Sequence, residues 1–110
     1  MNHLKDVNKI GKKMDKEKLD KWVKKYQKEH DGETFGWLYG CDTLQEILKE
    51  DGCKGIWFFK GTNDEGNERL VLYPADHEGN ILQKFKSLGA KGGGDNDAWD
   101  DGAECPESCP

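Results

Sequence analysis

Two cysteines close to the carboxyl end, in Cys105-Pro-Glu-Ser-Cys109-Pro110, form the chain's one short-spaced pair of potentially reactive side chains. Thiols four residues apart can close a local disulfide or clamp a soft ion such as Cu(I) or Zn²⁺. Redox work favours C-x-x-C at the start of a helix, where backbone N–H groups stabilise a thiolate. Here the spacing is C-x₃-C, and Glu104 and Glu107 disfavour the thiolate form. Gly89-Ala-Lys-Gly-Gly-Gly94 and an acidic stretch around Trp99 precede the pair and read as a flexible spacer.

The other chemistry-bearing residues are scattered. Cys41 and Cys53 flank a helical pattern that would rise roughly 12 Å between them. Disulfide partners need Cα atoms within about 7 Å, so these two are not expected to pair with each other. The same span argues against a tetrahedral zinc site shared with Cys105 and Cys109. Cys41 sits where a helix N-terminus would favour its thiolate, but no histidine near it in sequence would serve as base. The acidic run from Asp95 breaks the calcium-loop pattern because Trp99 holds the fifth position. The chain has no G-x-S-x-G, Walker loop or H-E-x-x-H, so the motifs assign no catalytic residue, no metal ligand and no cofactor.

The elements that would position these residues are easier to read. Leu19, Trp22, Val23 and Tyr26 recur at helical spacing behind an Asp15 N-cap, which predicts a helix to about His30, ended by Asp31-Gly32. Phe35–Gly40 is a short apolar run, a strand or a buried loop. Thr43 and Glu46 spell a capping box for a second helix with Leu44, Ile47 and Leu48 as its stripe and Gly52 beyond its end. Gly55–Lys60 and Arg69–Tyr73 read as strands around a hairpin loop, the second closed by Pro74. Asp76-His-Glu-Gly-Asn80 nearly repeats the spelling of the loop at Asp64–Asn67, which suggests a meander whose third strand starts near Ile81. The expected fold is α+β, two helices packed on a small antiparallel β-meander. Its boundaries are a basic flexible arm at 1–14, the domain at 15–88 and a tail at 89–110.

Composition narrows the function classes. Apolar residues are 34 % and charged residues 35 % of the chain, yet the aromatic residues concentrate in the middle, enough to build a core. The net charge of −5 hides ten lysines against five acids in the first thirty residues. Those lysines alternate with acids and include no arginine for bidentate phosphate contacts, so they read as a solvated helix face with no nucleic-acid role. No run approaches the roughly 18 apolar residues of a membrane span, and the start lacks the apolar core of a secretory signal. The expected setting is cytoplasmic, with reduced thiols and no membrane partner.

The run from Leu44 to Asn80 carries Gly-Cys53-Lys-Gly-Ile ahead of an aromatic strand and then a D-x-x-G-N turn. With the terminal Cys-Pro-x-x-Cys tail, it resembles a group of short, uncharacterised bacterial proteins. The resemblance implies a shared fold and carries no activity or site residue.

Three readings follow from the residues. In the first the chain is a small non-catalytic binding or accessory protein, with Trp37, Tyr39, Trp57 and Phe59 as its aromatic surface. On a strand, Trp57 and Phe59 point one way and Ile56 and Phe58 the other, so both faces need cover, from a homodimer or a protein partner. In the second the domain is the leader of a precursor whose glycine run precedes a cysteine-containing peptide. In the third the Cys105 and Cys109 pair performs thiol redox or soft-metal chemistry.

Overall fold

The computed structural model describes residues 4–82 and 98–105 of the chain. Lys16–Glu29 forms α1, with Asp15 at its N-cap and Gly32 at φ +84° just past its end. The expected amphipathic stripe is present, but no α1 side chain is buried, and Trp22, Val23 and Tyr26 are all exposed. Tyr26 instead stacks on His30 one turn later, with ring centroids 3.7 Å apart.

Gly36–Leu38 is a short strand, β1, and Cys41–Leu48 is α2. The expected capping box does not form. The helix starts at Cys41 behind Gly40, which places Thr43 inside the first turn, and the Glu46 carboxylate accepts a hydrogen bond from Trp99 Nε1 at 3.2 Å. Gly55–Thr62 (β2) and Glu68–Ala75 (β3) make the expected hairpin, with Trp57 opposite Tyr73 and Phe59 opposite Val71. Ile47 on α2 and Leu72 on β3 are the two fully buried large side chains among the described residues, where the helix packs on the hairpin.

Pro74 does not close β3 but lies buried within it. Leu72 exchanges both backbone hydrogen bonds with Trp99 (2.8 and 2.9 Å), so residues 70, 72 and 74 turn their polar groups away from β2. The imide nitrogen of Pro74 therefore faces the outer side, and its missing N–H leaves the β2 ladder intact.

The two turns flanking β3 are the same device. Asn63 Oδ1 accepts from the N–H groups of Glu65 and Asn67, and Asp76 Oδ1 accepts from those of Glu78 and Asn80. Gly66 and Gly79 hold the positive φ in each. The repeat thus starts at Asn63, one residue before the Asp64 from which the spelling reads.

The fold is α+β with antiparallel strands throughout. The expected third meander strand contributes only a bridge from Ile81 to Ala75 and a hydrogen bond from Leu82 N–H to the Pro74 carbonyl. The remaining pairing comes from the segment read as a flexible tail. Ala103–Cys105 forms β4 antiparallel to β1, with Gly36 opposite Cys105 and Leu38 opposite Ala103. Residues 98–105 therefore belong to the folded body. The arm is also held where it is described. Leu4 N–H donates to the Glu78 carbonyl, and a methyl of Val7 would lie 3.2 Å from any Cβ placed on Gly55. No helix among the described residues is long and apolar enough to cross a membrane.

Candidate functional site

The four aromatic residues expected to share a surface divide into two pairs. Trp57 and Phe59 alternate on β2 and stack on each other, with centroids 5.5 Å apart and planes within 7°. Tyr73, across the hairpin from Trp57, adds an edge-on contact to Phe59 at 5.7 Å. This makes an aromatic ladder on the side of the hairpin opposite to Leu72. Trp57 Nε1 donates to the Gly79 carbonyl at 2.8 Å, which anchors the indole to the turn after β3. Phe59 remains 41 % exposed. Tyr73 is the member missing from the expected surface, and its signal was the hairpin register that sets it beside Trp57.

Trp37 and Tyr39 serve another purpose. Trp37 pairs with Glu104 in the β1–β4 ladder, and its Nε1 is buried with no partner among the described atoms. The Tyr39 hydroxyl donates to the Leu70 carbonyl, on the same outer side of β3 that Trp99 uses. Its ring lies flat against Gly102, where an added Cβ would come within 2.6 Å of Cε1. Burial, reinforced by the negative charge of Asp100, raises the Tyr39 phenol above its ordinary value of 10.0. Tyr39 is thus a structural latch between β3 and the 98–105 segment.

Arg69, the one arginine in the chain, fastens the same segment. Its Nε donates to Asp100 at 3.1 Å, its Nη1 to Glu104 at 2.9 Å and its Nη2 to Asp101 at 3.4 Å. The hydrogen bond to Asp100 is the main cause that raises the already high arginine value further. The acidic stretch therefore has a partner for its charge, and the planar five-donor fork explains why an arginine serves where lysine would not. Among the described residues no group of three His, Cys, Asp or Glu side chains is arranged to hold a metal ion.

Of the expected thiol pair, Cys105 is described and is joined in a disulfide. Cys109 lies outside the described residues. Cys41 is an exposed free thiol at the start of α2, and Cys53 is a half-buried one whose Sγ–H points to the Gly55 carbonyl at 3.2 Å. The cavity between the arm and β2, about 170 Å³ and lined by Leu4, Val7, Ile10, Ile56, Trp57 and Ala75, is apolar on these walls.

No family model matches the chain, and neither a curated protein nor a solved structure does. The functional reading rests on the geometry alone.

Proposed function

We propose that this protein is a small non-catalytic binding or accessory module that engages a protein partner through the exposed part of its β2–β3 hairpin. The observation that carries the reading is the ladder of Trp57, Phe59 and Tyr73, a contiguous aromatic surface with Phe59 partly open to solvent. Aromatic side chains dominate the energetics of interfaces because each buries a large area with few torsions to freeze. Of the three shifted ionisable groups among the described residues, Tyr39 and Arg69 are engaged in holding the 98–105 segment, and Lys16 pairs with Asp20 along α1.

The test is the size of the native complex in the source cell. Wild-type protein should migrate in native gel filtration above monomer mass, and Phe59→Glu should return it to monomer mass with its circular dichroism unchanged. Monomer mass for both proteins would end this reading.

A second reading has its own observation, the disulfide at Cys105 in a chain whose Cys41 and Cys53 are free thiols. It assigns thiol redox chemistry to the terminal pair, and its soft-metal version requires prior reduction, since a disulfide sulfur is no longer a thiolate ligand. Intact mass with and without a dithiol reductant tests it, the reduced chain being heavier by two hydrogen atoms as the reductant is oxidised to its own disulfide. A precursor reading gains no comparable support, because Trp99 and β4 are paired into the body they would have to leave.

A further inference from the structure

The hairpin has two outer edges, and they are finished differently. On β3 every outward carbonyl from Leu70 to Pro74 has a partner: the Tyr39 hydroxyl at Leu70, Trp99 at Leu72, and Leu82 at Pro74. Alternation fixes the other edge. Residues 71, 73 and 75 face β2, so their partners 59, 57 and 55 face β3, and Ile56, Phe58 and Lys60 turn their N–H and C=O groups outward. Among the described residues no backbone or side-chain group pairs with that edge. Phe58 stands 54 % exposed at its centre.

A long apolar edge strand with unpaired backbone groups is a template for another strand. Natural edges are blunted by charges, prolines and bulges, whereas Gly55–Thr62 carries one charge, Lys60, and no proline. We infer that the occupant is a second copy of this chain, with β2 pairing antiparallel to β2 about a two-fold axis at Phe58, so that two hairpins join into one four-stranded sheet. This rests on the binding-module reading and names its partner.

The register of β2 favours self-pairing. A two-fold axis at Phe58 sets Phe58 opposite Phe58 of the second copy as a hydrogen-bonded pair. It sets Trp57 opposite Phe59 of the second copy, and Phe59 opposite Trp57, as the closer non-hydrogen-bonded pairs. Each aromatic ladder thereby continues into the other. Lys60 falls opposite Ile56, so no like charges meet, while an axis at Lys60 would place two ammonium groups side by side. The lone charge of the strand therefore selects among registers, because like charges directly opposite each other destabilise a cross-strand pair. Two-fold isologous contact is also the commonest form of self-association.

Sedimentation equilibrium on the full-length purified chain tests the inference. Wild type should be a dimer whose amides at Phe58 and Lys60 exchange more slowly as concentration rises. Phe58→Glu, which sets two carboxylates against each other, should raise the dimer dissociation constant by about a hundredfold or more. Lys60→Pro deletes an outward N–H without touching the β2–β3 ladder, as Pro74 does on β3, and should dissociate the dimer too. Trp22→Glu on α1 should leave it intact. A wild type that stays monomeric at all concentrations overturns the inference, and so does a dimer that survives both β2 variants or falls apart only with Trp22→Glu. A monomer in isolation that is still complexed in the source cell would overturn the second copy as partner while leaving the binding module in place.

Discussion

α1 and the segment from residue 98 to 105 are opposites. α1 has fourteen residues, a clear apolar stripe and a good N-cap position, yet none of its side chains is buried. The later segment has eight described residues, three of them carboxylates, and only a three-residue strand of regular structure, yet it is fastened to the body at nearly every step. Trp99 exchanges two backbone hydrogen bonds with Leu72, Asp100 and Glu104 bind Arg69, Gly102 lies under Tyr39, and β4 pairs with β1. Periodicity reports what a segment would do if offered a surface, whereas integration depends on whether distant residues offer one.

The largest effect expected from breaking this contrast is at Gly102. Gly102→Ala forces a methyl group into the Tyr39 ring, which is pinned at its hydroxyl and cannot swing away, and should destabilise the fold by about 2–3 kcal/mol in a urea titration. Arg69→Met leaves three carboxylates near one another without their cation. A loss of stability smaller than that at Gly102 is expected, and smaller still in high salt, where the remaining repulsion is screened.

Tyr39→Phe removes one hydrogen bond to the Leu70 carbonyl and should cost about 1 kcal/mol at neutral pH. It also changes a pH profile. At pH 10.0 the unfolded phenol is half ionised, whereas the folded one, with its value raised by burial, is less ionised. The stabilisation is therefore complete below pH 10.0 and is lost as pH rises through the raised folded value. Urea midpoints measured from neutral to strongly alkaline pH should fall less steeply for Tyr39→Phe than for wild type. The smallest effect belongs to α1, where Trp22→Ala deletes the largest side chain of the helix and should shift stability by no more than about 0.5 kcal/mol, because the ring is exposed. A shift of several times that size would mean that α1 is packed in solution and would erase the contrast.

Legibility in the sequence follows the same division. α1, α2 and the β2–β3 hairpin are written in local signals: 3.6-residue spacing, β-branched and aromatic runs, and glycines where positive φ is needed. Pro74 misled because its position says nothing about which way its nitrogen faces, and that direction is set by Trp99 from the other end of the chain. Thr43 and Glu46 fit a capping box by type and spacing, but Gly40 took the cap and Trp99 took the glutamate. Trp99 itself entered the sequence argument only as the residue that spoils a calcium loop. Its partner Leu72, like Arg69 for the acids and Tyr39 for Gly102, lies some 27 to 63 residues away, with no periodicity to connect them. For the aromatic surface, Trp57 and Phe59 were legible from alternation, while Trp37 and Tyr39 shared only their chemistry with that pair.

The β1–β4 pairing bears on the order in which the chain assembles. Gly36 and Cys105 are about seventy residues apart, the longest separation of any paired strands among the described residues. The β2–β3 hairpin closes a loop of only a few residues and can form within microseconds. Bringing β4 to β1 must wait, because closing so long a loop is entropically unfavourable until Tyr39, Leu72 and Arg69 are in place to receive it. During synthesis, those receiving residues leave the ribosome well before the segment they bind. The body thus passes through a stage in which Leu72 and both edges of the hairpin are uncovered, until residues 98–105 emerge and cover Leu72 and the outer edge of β3.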